Sequence, residues 1–367
     1  MSEADLILVI VVATALIFDF TNGFHDTANA VATAISTRAL RPRVAVLLAA
    51  VLNFAGAFIS LEVAATVAAD VVDPGAITQN VIFGGLIGAI SWNLITWYFG
   101  LPSSSSHALI GGVVGAAFAA AGAGAVLGEG LVGKVLVPAL VAPLMAFIVA
   151  GLGIVVAYRV VGRQRPGPVT RTYRLGQIAS ASMFALSHGT NDAQKTMGII
   201  TLALITHGTL PTEGFEVPFW VIFSAATAIG LGTYTGGWRI IRTMGTRVHD
   251  MDPAQGFTAE GAGSAVILAS THFGFPLSTT HVISGAIMGS GAGKRLSAVR
   301  WGVAGNIFAA WLLTVPAAAS LGALTYGLVQ LFGQGALGPL LVGGAALTMA
   351  GLAFIRRARR GAPVPAT

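Results

Sequence analysis

Residues 22–30 read NGFHDTANA, and residues 188–196 read HGTNDAQKT. Gly23 aligns with Gly189 and Asp26 with Asp192. A second pair repeats the pattern: FGLPSSSSHALIGGVVG at 99–115 and FGFPLSTTHVISGAIMG at 273–289. There Pro102 meets Pro276 and His107 meets His281, at nearly the same offset along the chain. Two ordered matches at almost one offset are hard to produce by chance in a low-complexity apolar sequence. They divide the chain into two related halves, residues 1–160 and 176–335. A basic linker at 161–175 joins them, and a terminal segment follows at 336–367.

The surroundings of these motifs are apolar. Of 367 residues, 55% are hydrophobic and 9% charged, and the mean hydropathy is +0.80. Soluble domains carry roughly 25% charged residues, so most of this chain belongs in lipid. The 48 glycines suit helices that pack closely in a bilayer. The absence of cysteine excludes disulfides, thiolate metal sites and cysteine nucleophiles. The first apolar run, Leu6 to Phe18, follows Glu3 and Asp5 rather than a basic start, so it reads as a retained span and not a signal peptide.

Apolar segments run near 6–37, 44–61, 79–100, 103–125, 134–158, 176–206, 217–236, 257–275, 277–292, 299–331 and 338–355. This predicts an all-α integral membrane protein with about 10–12 transmembrane segments. The longest, 6–37, 176–206 and 299–331, exceed a simple span and are expected to be broken helices or a hairpin plus a span. The net charge of +6 is placed by topology, not by nucleic acid. Every arginine falls in one of five clusters: Arg38 to Arg43, Arg159 to Arg174, Arg239 to Arg247, Arg295 with Arg300, and Arg356 to Arg360. Starting the chain outside puts all five clusters in the cytoplasm, with the basic C-terminus. The opposite loops hold Glu62, Asp70, Asp73, Glu129, Glu213 and Glu216, and no arginine. The two motif segments then cross in opposite directions. Inverted-topology repeats with broken helices or re-entrant hairpins at the midplane are the architecture of secondary transporters.

Few ionisable residues fall inside the apolar segments: Asp19, Asp26, Asp192, Lys195 and Glu260, with His25, His107, His188, His272 and His281. A charge at the bilayer centre costs about 2.5–3.5 kcal/mol on insertion scales, so such residues pair or line a cavity. Thr21-Asn22-Gly23 and His188-Gly189-Thr190-Asn191 disfavour helix, and each is expected to unwind before a half-helix. Asp26 and Asp192, with Asn22 and Asn191, are candidate ligands for a coupling cation or proton. Glu260 is either solvated near the cytoplasmic interface or a coupling carboxylate. Thr27, Asn29, Gln194 and Lys195 follow the acids along their segments. Lys195 either meets a substrate charge or neutralises Asp192. In the second element, Ser104, Ser105, Ser106 and His107 match Ser278, Thr279, Thr280 and His281. Proline stops one segment and hydroxyls cap the next. Four such starts near the midplane would form a donor-rich cage suited to a tetrahedral oxyanion. The two histidines would donate to that anion, relay a proton or brace a neighbouring helix.

These residues resemble the inorganic phosphate transporter (Pit-type) family, in its bacterial low-affinity branch. That family carries two GANDxAN-like signatures and two P-x-S-x-[ST]-H elements, here GFHDTANA, GTNDAQKT, PSSSSH and PLSTTH. The resemblance covers roughly residues 10–330. It implies phosphate uptake across the bacterial plasma membrane by symport with H⁺ or Na⁺, no cofactor, and a homodimer. Phe24-His25 and Ala193-Gln194-Lys195 depart from the signature. Asn53 stands where animal, Na⁺-driven members commonly have an acid, which favours H⁺. Sulfate is the alternative substrate. Small carboxylates are disfavoured because no arginine lies inside a span to clamp them. A passive anion channel fits the repeated motifs less well. A membrane-embedded hydrolase lacks any H-E-x-x-H or nucleophile-elbow motif, so the chain is not expected to be an enzyme.

Overall fold

The computed structural model describes residues 2–211 and 214–359, so Glu213 and Arg360 of the topology reading lie outside the described residues. The helices run in the order α1 (Glu3–Ser36), α2 (Pro42–Gly56), α3 (Glu62–Ala69), α4 (Gln79–Phe99), α5 (Ser105–Ala121), α6 (Gly128–Gly130), α7 (Val137–Val161), α8 (Pro166–His207), α9 (Phe219–Thr235), α10 (Trp238–Arg242), α11 (Pro253–His272), α12 (Thr279–Lys294), α13 (Trp301–Gln330) and α14 (Leu337–Arg359). Each apolar segment of the sequence corresponds to one helix. Among the described residues, four stretches, Glu3–Ser36, Gln79–Phe99, Gly128–Val161 and Trp301–Gln330, are long and apolar enough to cross a membrane, and the bent pair of α9 with Trp238–Arg247 makes a fifth. The molecule is inside-out by the standards of a soluble fold. Leu140, Leu144 and Leu152 of α7 and Leu312 and Leu324 of α13 are exposed, while Asp19, Asp192, Lys195 and Glu260 are fully buried.

Two expectations are corrected. First, α1 and α8 run without interruption through both motifs. The polar side chains do not unwind the helix because their hydroxyls fold back onto it: Thr21 donates to the Phe18 carbonyl at 2.7 Å, Thr27 to Gly23 at 2.7 Å and Thr190 to Leu186 at 2.8 Å. The long segment 299–331 is likewise one helix, α13, with Pro316 inside it. Second, residues 62–69 are not an exposed loop but the short buried helix α3, packed on α8. Helix α8 begins at Pro166 and so takes in residues 166–175 of the basic linker.

Glycines explain how the elements approach one another. A methyl group at Gly23 of α1 would overlap the Ile229 carbonyl of α9, and one at Gly189 of α8 would overlap the Asn53 carbonyl of α2. Likewise Gly115 of α5 abuts Ala319 of α13, and Gly289 of α12 abuts Phe147 of α7. Small residues that admit a neighbouring backbone are the usual contact of helices in lipid. The packing is reciprocal. The motif helix of each half lies against a helix of the other half: α1 on α9 and α8 on α2.

Candidate functional site

Two helical hairpins, α4–α5 and α11–α12, place their Pro-Ser/Thr tips between α1 and α8. In each tip a serine caps the second helix. The Ser104 hydroxyl accepts from the His107 N–H at 3.0 Å, and that of Ser278 accepts from the His281 N–H at 3.2 Å. The following hydroxyls are thereby aimed into the space between the motif helices.

On the α1 side, Asp26 collects its partners from three elements. The Ser105 hydroxyl lies 2.6 Å from Oδ2 and 2.7 Å from Oδ1 of Asn22, while Thr280 reaches Oδ1 at 3.3 Å. His25 Nδ1 lies 2.8 Å from Oδ1, and its Nε2 is 3.0 Å from the Thr96 hydroxyl. Asn29 donates to Thr280 at 2.9 Å and to Thr279 at 3.4 Å. On the α8 side, the Lys195 ammonium donates to Asp192 Oδ1 at 2.5 Å, to the Ser106 hydroxyl at 2.6 Å and to the Leu277 carbonyl at 2.7 Å. Thr279 donates to Asp192 Oδ2 at 3.3 Å, and His188 Nε2 lies 3.3 Å from the same oxygen. One ligand atom each from Asp26, His188 and Asp192 lie within 4.8 Å of one another. Both halves therefore contribute to a single buried centre.

Asp19 adds a third carboxylate. It is fully buried, with Thr196 and Asn22 as polar neighbours and Asp192 and Lys195 within electrostatic reach, yet neither of its oxygens has a hydrogen-bond partner of ordinary geometry. Three acids thus face one lysine. Charges packed this closely repel unless a proton or cation comes between them.

Not every sequence-predicted residue enters this centre. Thr27 is used in helix packing, bonding Gly23 and the Thr233 carbonyl of α9. Gln194 accepts from the N–H of Val63 at 2.8 Å and so caps α3. Asn191 donates to Thr271 at 2.8 Å and to the Phe275 carbonyl at 3.1 Å, anchoring the end of α11. His107 and His281 pack edge to face with ring centroids 4.7 Å apart, and His281 stacks on Trp311 at 4.0 Å. Glu260 sits apart, bonded by Thr33 and by Ser180 at 2.7 Å. Thr33 is two helical turns beyond Asp26, about 10 Å along α1. Glu260 is buried rather than solvated.

The sequence reading singled out Asp19, His25 and His188 as ionisable residues inside the spans and Asn53 at a position bearing on the coupling ion, without giving them a site role, and it passed over Thr96. His188 precedes Asp192 by one turn on the same helix face, so helical spacing alone would have found it. Thr96 carries no local signal, and the bond of Asn53 to His188 is equally invisible locally, because both roles arise from partners far along the chain.

With this geometry in place, comparison with known proteins is direct. The model of the phosphate transporter family matches residues 22–322. A Mycobacterium tuberculosis protein described as a probable low-affinity inorganic phosphate transporter is 53% identical over 361 residues, covering 98% of this chain and 86% of the relative. A Bacillus subtilis protein of the same description is 46% identical over 323 residues, covering 88% and 96%. Among solved structures, one titled the sodium-dependent phosphate transporter superposes with a TM-score of 0.79 at 25% identity, covering 89% of this chain and 99% of that one. The relatives are transporters, not enzymes. This multi-pass membrane chain belongs to the phosphate transporter family.

Proposed function

We propose that the protein imports inorganic phosphate by symport with H⁺, through alternating access of the buried centre. The observation that carries the phosphate reading is the position of Lys195. Its ammonium touches Ser106 at the start of α5 and the Leu277 carbonyl just ahead of α12. Two helix N-termini, four hydroxyls and an ammonium therefore converge. Free N–H groups, helix dipoles and a fixed cation all favour a tetrahedral anion.

The three acids supply the coupling. An anion enters a pocket holding Asp19, Asp26 and Asp192 only when positive charge enters with it. The Thr233 hydroxyl donates to the Ile229 carbonyl, so it accepts from the Asn53 amide N–H₂ at 2.8 Å. Asn53 then turns its oxygen to His188 Nδ1 at 3.0 Å, which fixes the proton there. Neutral His188 would present a lone pair at Nε2 to Asp192 Oδ2, an arrangement that calls for a proton between them. His188 with Asp192 is the proton site of this reading. Glu260, buried on α11 against Thr33 two turns beyond Asp26, is a second coupling carboxylate of this reading. The solved relative is titled sodium-dependent, and Na⁺ is the second reading for the cation.

The duplication and the reciprocal packing of α1 on α9 and α8 on α2 support inverted repeats at 1–160 and 176–335. The arginine clusters support an outside N-terminus and a cytoplasmic C-terminus. A homodimer is the assembly we propose from family resemblance.

Radiolabelled phosphate uptake into proteoliposomes tests the reading, with pH and Na⁺ gradients imposed separately and excess sulfate as competitor. Accumulation driven by the pH gradient and indifferent to sulfate is expected. Block by sulfate would reassign the substrate, and drive by Na⁺ alone would reassign the ion.

A further inference from the structure

We propose that Lys195 is a tethered counter-ion filling what would otherwise be a monovalent-cation site, so that its ammonium replaces one mobile coupling ion. The inference rests on the phosphate-symport reading above and deepens it. Carboxylate, hydroxyl and backbone carbonyl oxygens are the ligand types that hard cations take, and the Lys195 ammonium is held by one of each. These are Asp192 Oδ1 at 2.5 Å, Ser106 Oγ at 2.6 Å and Leu277 O at 2.7 Å, from three separate elements. The set carries negative charge and is wholly buried, with Asp192 and Lys195 both inaccessible to solvent.

The repeat supplies an internal control. Position 195 aligns with Asn29, a neutral residue that only hydrogen-bonds the Thr279 and Thr280 hydroxyls. The Asp26 half of the centre thus has no built-in cation, whereas the Asp192 half has one that cannot leave. A second observation points the same way. Asp19 is fully buried, lies in the field of Asp192 and Lys195, and makes no hydrogen bond of ordinary geometry. With Lys195 present, three carboxylates face one fixed positive charge. With a neutral side chain at 195 they face no permanent charge, only the titratable rings of His25 and His188, and an anion enters only after a further cation has bound.

The experiment uses Lys195→Asn, which installs the residue of the equivalent position, and Lys195→Arg, which keeps the charge. Phosphate uptake is measured in proteoliposomes at a fixed pH gradient, in Na⁺ or in choline. Independently, thermal melting of the purified full chain in detergent is followed as Na⁺ is titrated without phosphate. Wild type and Lys195→Arg should be indifferent to the exchange of Na⁺ for choline. Lys195→Asn should lose at least tenfold of its uptake in choline, regain most of it in Na⁺, and gain a Na⁺-dependent rise in melting temperature absent from wild type. A Lys195→Asn protein that melts cooperatively but shows neither Na⁺-dependent uptake nor a Na⁺-dependent melting shift overturns the proposal. Should Lys195→Asn not fold in choline, recovery of folded protein when Na⁺ is present during purification supports the proposal, and failure to recover overturns it. Absence of phosphate uptake by wild type would instead strike at the phosphate reading, leaving the melting titration to decide the cation site.

Discussion

The Asn53 side-chain oxygen lies 3.0 Å from His188 Nδ1, and the same amide donates to Thr233 at 2.8 Å. One buried asparagine on α2 thereby sets the tautomer of a histidine on α8 while resting on α9. Asn53→Leu removes that constraint and lets His188 place its proton on Nε2 against Asp192. Loss of two neutral buried hydrogen bonds costs about 2 kcal/mol, so the protein should still fold. Uptake should fall on the order of tenfold, as for other residues that orient a functional histidine, and its pH profile should move. An unchanged profile, recorded in proteoliposomes between pH 5.5 and 8, would remove His188 from the coupling step.

Asp192 and Asp26 should respond differently to neutralisation, although they occupy equivalent positions. Asp192→Asn strands the buried Lys195 ammonium, a change that costs about 3–5 kcal/mol. Asp26→Asn leaves no fixed cation unpaired and instead relieves repulsion within the centre. Thermal melting of the purified variants should therefore place Asp192→Asn well below Asp26→Asn. The double variant Asp192→Asn with Lys195→Met should recover much of the lost stability. Equal destabilisation of the two single variants would contradict the charge arrangement described above.

Glycine substitutions separate close contact from open space. Gly23→Ala drives a methyl into the Ile229 carbonyl and Gly189→Ala into that of Asn53, so each should lose about 1–3 kcal/mol. Gly261, inside α11, has no atom within 4 Å of a built Cβ. Gly261→Ala should be neutral, or stabilising by up to about 1 kcal/mol through helix propensity. Melting temperatures in one detergent are the comparison. Tolerance of Ala at Gly23 would mean that α1 and α9 sit further apart than described.

Outside the spanning helices, His249 is buried with Nε2 donating to the Ile287 carbonyl at 3.0 Å. Burial holds its imidazole below the ordinary value of 6.5, against the opposing pull of Asp250 and Asp252. Below about pH 6.5 the unfolded chain therefore binds a proton that the folded chain refuses, and stability falls as pH drops through that window. His249→Gln should flatten this dependence. The check is the drop in melting temperature from pH 7.5 to 5.5, expected to be smaller in the variant than in wild type.

Much of this molecule is legible in its sequence, for identifiable reasons. The apolar segments became helices because lipid leaves the backbone no other partner than itself. The Asp and Ser/Thr-His motifs met in one centre because duplication placed them at matching positions. Three features were hidden. Thr21, Asn22 and Gly23 read locally as a break, but close packing of α1 on α9 keeps the helix whole. Helix α3 is short, and its N-terminus is capped by Gln194 from far along the chain. The pairing of Asp26 with Thr280, and of Lys195 with Ser106, crosses between the halves, so neither motif announces it alone.

That crossing has a consequence for how the protein is made. Asp26 emerges from the ribosome 254 residues before its partner Thr280. At about 5–20 residues per second, synthesis of the intervening chain takes roughly 13–50 s. Through that interval α1 carries Asp19 and Asp26 without the α12 end of their pocket, and the glycine groove at Gly23 has no α9 to fill it. Nascent α1 must therefore wait at a hydrated protein surface, such as the insertion channel, rather than pass at once into acyl chains. The second half is in this sense the chaperone of the first.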